Sequence, residues 1–236
     1  MSDNYRDNST DFVLGIGDDD LNLDSDKLSI LRPRKEFDWD DFYRQGTPPW
    51  DTGLIEPDLI RLVEEKLVSP CSTLEIGCGS GVDAIYLAKK GFEVTAIDSS
   101  PMAIDRAHSR AKNDNVLLRI VYDDIFKFTP SAGTYDFVYD IGFYHFIRKT
   151  HLTQFMDILW KLTKPGSMYF TLAGDETDEF EGPPEYLQFL PGLSKDKIFN
   201  ELGCLFEEIK IWPGTLYSRF RKAPHKAWAC LFRRPF

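Results

Sequence analysis

A chain of 236 residues with 42% apolar side chains has ample material for a full core, and one domain is expected. A net charge of −10 excludes the basic footprint of a nucleic-acid binder. No apolar run approaches the ~18 residues of a membrane span, and the N-terminus lacks a signal pattern, so a soluble cytoplasmic protein is expected.

The charge is unevenly placed. Residues 1–26 hold eight Asp against one Arg, a local charge of −7, leaving −3 for the other 210 residues. Poor in aromatics and rich in Asp, Asn and Ser, residues 1–33 are expected to form a disordered acidic segment ahead of a domain at 34–236. Cys71, Cys78, Cys204 and Cys230 show neither C-x-x-C spacing nor paired histidines nearby, and read as buried thiols with no metal site.

Residues 37–62 mix aromatics with Pro48-Pro49 and read as a lid. A strand ending at Ile76 then meets a glycine-rich turn. Val82, Ile85, Tyr86 and Lys89 follow at helical spacing, stopped by Gly91. Phe92–Ile97 is a second strand, and Pro101 opens a helix faced by Ile104, Ala107, His108 and Ala111. Val116–Val121 and Tyr135–Tyr139 read as strands three and four. Leu152, Phe155, Met156 and Leu159 stripe a helix that stops before Pro165-Gly166, and Ser167–Ala173 is a fifth strand. Residues 174–193 form a connection long enough to cover an active site. Ser194 caps a helix ending at Gly203, and Phe206–Ile211 and Ala227–Phe232 close the chain as antiparallel neighbours. Alternating strands and helices imply an α/β fold, a parallel sheet covered on both faces.

The chemistry concentrates in Leu74-Glu75-Ile76-Gly77-Cys78-Gly79-Ser80-Gly81. Glycines at a strand-to-helix turn let backbone approach a ligand closely, and Asp98, ending the next strand, can take two ribose hydroxyl protons. The dinucleotide pattern G-x-G-x-x-G would place its third glycine at Val82, and Glu75 beside the loop opposes a pyrophosphate. An adenosine with a cationic centre and no phosphate suits the two flanking carboxylates better. A dinucleotide oxidoreductase is accordingly disfavoured.

These residues resemble motif I and the acidic loop of the class I methyltransferases that use S-adenosylmethionine (SAM), a likeness running from Trp39 onward. The resemblance implies a single Rossmann-like, seven-stranded sheet in the order 3-2-1-4-5-7-6 with strand 7 antiparallel. It implies SAM as cofactor, S-adenosylhomocysteine (SAH) as product, and a cofactor site of Glu75, Gly77, Cys78, Gly79, Gly81, Asp98 and Ser99. Asp124 matches the position that reads the adenine amino group, with the Ile125 backbone nearby. Asp140 ends strand four, where its carboxylate either faces the ligand's ammonium or caps the turn. Gly46–Gly53 resembles the lid of thiopurine, tellurite and halide/thiol methyltransferases, in which Trp50 covers the sulfonium by cation–π attraction or packs onto the sheet. Ile141 departs from the Arg that follows that Asp in many relatives.

The acceptor is expected to be a small molecule, with a thiol or other soft nucleophile favoured because it needs little base catalysis. His145 is the candidate general base, against packing at a helix start. Tyr144, Phe180 and Tyr186 are candidate substrate contacts, and Phe180, Tyr186, Phe189, Trp212, Tyr217 and Phe220 cluster in loops expected to supply an apolar pocket. Arg219, Arg221 and Lys222 read as solvated surface. The competing reading is a SAM- or SAH-binding regulatory pseudoenzyme acting through a protein partner. Neither membrane nor nucleic acid is an expected partner, and the acceptor atom and oligomeric state stay open.

Overall fold

A computed structural model describes residues 38–179, 192–219 and 222–236. Residues Asp38–Phe236 form one compact unit. In chain order the described elements are α1 (Trp39–Arg44), α2 (Pro57–Glu64), β1 (Ser72–Ile76), α3 (Val82–Lys89), β2 (Glu93–Asp98), α4 (Pro101–Asn113) and β3 (Arg119–Tyr122). There follow β4 (Tyr135–Ile141), α5 (Tyr144–Leu162), β5 (Thr163–Gly174), α6 (Lys195–Leu202), β6 (Glu207–Leu216) and β7 (His225–Arg233).

The strands form one sheet in the order β3-β2-β1-β4-β5-β7-β6. Neighbours from β3 to β5 are parallel, whereas β7 runs antiparallel between β5 and β6. This is the Rossmann-like order that the resemblance implies. Both faces are covered, as parallel strands require. Phe137, Tyr139, Phe170 and Leu231 point to one face with Leu59, Leu62 and Leu87. Val138, Tyr169 and Phe232, one residue out of phase, point to the other with Phe155, Leu159 and Leu202.

Several boundaries differ from the sequence pattern, each for a local reason. Strand three begins at Arg119 because Asn115 takes φ +54 and the Val116 amide closes onto Ala111 carbonyl, which spends residues 115–116 on ending α4. Helix α5 starts at Tyr144, well before its apolar stripe, because the Asp140 carboxylate accepts the amides of Phe143 and Tyr144. It kinks at His151, where φ is −133°. The last strands run longer than their apolar cores, pairing from Glu207↔Arg233 to Leu216↔His225. Among the described residues no helix is long and apolar enough to cross a membrane. All four cysteines are free thiols.

Candidate active site

The carboxyl edge of β1 delivers Glu75 and the glycine turn. Gly77, Gly79 and Gly81 take φ of +70°, +53° and +75°. Crowding matters as much as angle here. A β-carbon would lie 3.0 Å from Phe143 Cδ2 at Gly77, from Tyr43 Oη at Gly79, and from Ala107 Cβ at Gly81.

Four amides of the loop are committed within the protein. Gly77 and Cys78 donate to Ile97 carbonyl at 2.9 and 3.0 Å, Gly81 donates to Cys78 carbonyl at 2.9 Å, and Gly79 donates to Asp98 Oδ2 at 2.8 Å. A pyrophosphate needs a cradle of available N–H groups. This turn offers a carboxylate in their place, which fits a phosphate-free ribose. The other oxygen of Asp98 accepts from Ser100 N at 2.9 Å, while burial raises its pKa. Ser99, between them, is exposed.

Weakly satisfied polar atoms mark the floor and roof of this turn. Glu75 and Tyr139, on paired residues of β1 and β4, are buried and interact with each other, but neither Glu75 Oε2 nor Tyr139 Oη makes a well-aligned hydrogen bond. Burial, then the charge of Asp83, push the Glu75 carboxyl well above its ordinary range. Tyr43 Oη, above Gly79, is also buried and makes no well-aligned hydrogen bond, with Trp50 as its side-chain neighbour. Such atoms cost about 1–3 kcal/mol each when left unsatisfied, and a polar ligand relieves that cost. The cradle and these atoms fit an adenosyl group carrying polar substituents. Cys78 is buried, and burial raises its thiol pKa, so its role is to be small.

The lid is bolted down. Asp40 Oδ1 accepts from Ser100 Oγ at 2.6 Å and Met102 N at 3.0 Å, capping α4 from outside. The Arg106 guanidinium donates to the carbonyls of Tyr43 and Gly46 at 3.1 and 2.6 Å and lies over the Tyr43 ring. Asp51 accepts from Ser80 Oγ at 2.7 Å, tying lid to glycine turn, and faces Arg106 at 3.5 Å. Trp50 meets Trp39 and Phe42 edge-on at 5.6 and 5.2 Å, and Trp39 meets Phe146 at 4.7 Å. The result is an aromatic wall from the lid to the first turn of α5.

Other expected site residues are placed differently. Asp124 Oδ1 accepts from Phe126 N at 3.0 Å, a turn beside Asp98, and Ile125 is buried. Asp140 is fully buried and accepts from Phe143 N, Tyr144 N, Tyr169 Oη and Thr171 Oγ1, so it caps the turn. Burial raises its pKa to about 6. Tyr144 is not a crevice residue: its side chain is buried and its hydroxyl donates to Glu201 of α6 at 2.7 Å. Trp212 likewise leaves the proposed pocket, because its indole N–H donates to Asp58 at 2.7 Å and its ring stacks on Phe170 in the core. His145 is buried, and its Nδ1 accepts from Gly174 N at 3.0 Å. Phe180, Tyr186, Phe189, Phe220 and Arg221 lie outside the described residues.

Sequence reading missed Tyr43, Asp40 and Asp51. The first two sit three apart on one face of α1, and Asp51 follows Trp50. A buried face that pairs a carboxyl with a phenol on a short helix was the available signal.

This is a Rossmann-like nucleoside-binding domain whose crevice lies at the carboxyl edge where strand order reverses between β1 and β4. Residues 73–166 match the family described as a methyltransferase domain. The 2-heptyl-1-hydroxyquinolin-4(1H)-one methyltransferase of Mycobacteroides abscessus is 28% identical over 58% of this chain. The match spans 61% of that relative, under two thirds of its length. Probable thiol methyltransferase 2 of Arabidopsis thaliana is 26% identical, covering 80% of this chain and 81% of the relative. The structure reported as "Conversion of a Disulfide Bond into a Thioacetal Group during Echinomycin Biosynthesis" superposes with a TM-score of 0.73 at 25% identity, over 83% of this chain and 91% of that one. A SAM-dependent methyltransferase from Aquifex aeolicus shares the fold, with a TM-score of 0.63 at 16% identity, over 84% of this chain and 100% of that one.

Proposed function

We propose that this chain transfers a methyl group to a small-molecule acceptor, with a thiol or other soft nucleophile favoured. One observation carries the reading: an aromatic wall is fastened over a glycine turn whose glycine amides are committed within the protein and which abuts the Asp98 carboxylate. When bound, SAM supplies a methyl already activated by a positive sulfur. The chain's task is therefore alignment and exclusion of water, and alignment alone can contribute ~7–11 kcal/mol. In this reading Asp98, with Cys78 and Ser99 beside it, holds the ribose diol, Asp124 and Ile125 border the adenine, and Glu75 sets the charge beneath the turn. Trp50 and Tyr43 close over the sulfonium end, and Asp140 keeps α5 in register behind them.

The thiol preference is supported by the likeness to the Arabidopsis relative, a probable thiol methyltransferase, and by the disulfide-to-thioacetal conversion for which the similar solved structure is named. Four unpaired cysteines suit a reducing cytoplasm as the place of reaction. The test is SAH production with a panel of thiols, hydroxyquinolines and amines, alongside SAH binding by calorimetry. Thiols should exceed the other acceptors by at least about tenfold in kcat/KM. A chain that binds SAH yet methylates hydroxyls or amines as fast as any thiol would refute the preference.

A further inference from the structure

Ser218, His225 and Asp178 form a hydrogen-bonded line outside the cofactor crevice. Ser218 lies in the connection after β6, His225 opens β7, and Asp178 follows the end of β5. Ser218 Oγ stands 2.9 Å from His225 Nε2, and His225 Nδ1 stands 2.8 Å from Asp178 Oδ2. Asp178 is itself oriented, because its other oxygen accepts from Lys226 N at 3.0 Å. The carboxylate fixes the imidazole as the Nδ1–H tautomer, so the Ser218 hydroxyl donates to Nε2. Serine, histidine and carboxylate in this relation make a proton relay recognisable by geometry whatever the fold. His225 is buried, whereas Ser218 is only half-buried.

The location ties this line to the reaction. β7 runs antiparallel to β5, so His225 shares the sheet edge at which β5 and β4 end, with Gly174 paired to Ala227 and Ile141 to Leu172. Two strand spacings separate β7 from β4, ~10 Å laterally. Arg219, next to Ser218, donates its amide to Pro49 carbonyl at 2.9 Å, which holds this turn against the lid beside Trp50.

Building on the methyl-transfer reading, we propose that Ser218, His225 and Asp178 take the proton of an acceptor that arrives as a neutral S–H, not as a preformed anion. The acceptor's proton passes to Ser218 Oγ while the Ser218 proton passes to His225 Nε2. This leaves a thiolate and an imidazolium paired with Asp178. The thiolate sulfur bonds the methyl carbon as the carbon–sulfonium bond breaks, its electron pair staying on the cofactor sulfur. His225 then returns its extra proton to solvent. Ser218 touches the acceptor, and His225 and Asp178 act through it.

The test compares wild type with Ser218→Ala, His225→Gln and Asp178→Asn across weakly acidic alkyl thiols, acidic aromatic thiols and thiocyanate. SAH affinity by calorimetry reports an intact cofactor crevice. The ultraviolet thiolate band of a weakly acidic alkyl thiol bound with SAH reports deprotonation without turnover. Alkyl-thiol kcat/KM should fall ~100-fold or more, as loss of a positioned base does. The loss with thiocyanate should be at least ~10-fold smaller, and the thiolate band should vanish in Ser218→Ala. Equal losses for all acceptors, or a thiolate band unchanged in all three variants, would overturn the relay. Since that band needs no turnover, a wild type that forms it yet methylates nothing sinks the methyl-transfer reading alone.

Discussion

The Tyr43 hydroxyl stands directly over Gly79, so close that a β-carbon on the glycine would lie 3.0 Å from it. That hydroxyl is buried and makes no well-aligned hydrogen bond, with the Trp50 side chain as its polar neighbour, which leaves it weakly satisfied in the empty protein and available to a ligand. Tyr43→Phe should therefore leave the melting temperature of the ligand-free chain unchanged or higher while weakening SAH binding about 3- to 10-fold. Gly79→Ala adds backbone strain at φ +53° to the same collision, and should weaken binding by tenfold or more. Scanning calorimetry and titration calorimetry check the pair. A stability loss in Tyr43→Phe would show that the hydroxyl is already satisfied.

Asp98 and Asp140 lie at the carboxyl ends of β2 and β4, the two strands that flank β1, yet their partners separate their roles. Asp98 accepts one backbone amide on each oxygen and is only part-buried, whereas Asp140 is fully buried and saturated by four donors inside the protein. Asp140→Asn has one acceptor oxygen in place of two, and should cost about 2–4 kcal/mol of stability, or roughly 5–15 °C in melting temperature. The folded fraction should bind SAH normally. Asp98→Asn should do the reverse, lowering SAH affinity about 10- to 100-fold with a smaller thermal shift. Parallel effects in the two variants would refute the division.

The strands and the glycine turn were legible because they rest on local periodicity and on glycine spacing, whereas the strand order was implied by the family resemblance. Gly77, Gly79 and Gly81 sit where both angle and crowding forbid a side chain. Acceptor-side residues were less legible because their partners are distant in sequence. Tyr144 reads as a crevice aromatic until Glu201, 57 residues on, takes its hydroxyl. Trp212 reads as a pocket wall until Asp58, 154 residues earlier, accepts its indole N–H. The Ser218–His225–Asp178 line spans 47 residues and three connections, so no spacing rule exposes it.

His145 offered itself as a general base by sequence position. Its Nδ1 accepts the Gly174 amide at 3.0 Å, which places the proton of the neutral ring on Nε2 and leaves neither nitrogen of that tautomer disposed to take another from substrate. His145→Gln, whose amide oxygen can replace Nδ1 as acceptor, should retain turnover within about threefold. His145→Ala should instead lower stability by about 1–3 kcal/mol, since it strands a buried amide. A turnover loss in His145→Gln approaching 100-fold would restore the base role.

Glu56 supplies a pH dependence with a definite sign. Burial, then the nearby charges of Asp83 and Asp58, raise its carboxyl pKa from 4.5 to about 8, and Asp83 is itself raised to about 6 by burial. The folded chain therefore keeps a proton on Glu56 where the unfolded chain has lost it. The resulting stabilisation is full below about 4.5 and is lost as pH rises through about 8. Glu56 Oε2 has no hydrogen-bond partner and the Glu56 amide donates to Asp83 Oδ1 at 2.9 Å, so ionisation sets two carboxylates against each other in a buried site. The melting temperature of the wild type should fall between about pH 5 and about pH 9, and Glu56→Gln, which holds the neutral form permanently, should flatten that fall. Curves that stay parallel across this range would mean that Glu56 ionises in the folded chain as readily as in the unfolded one.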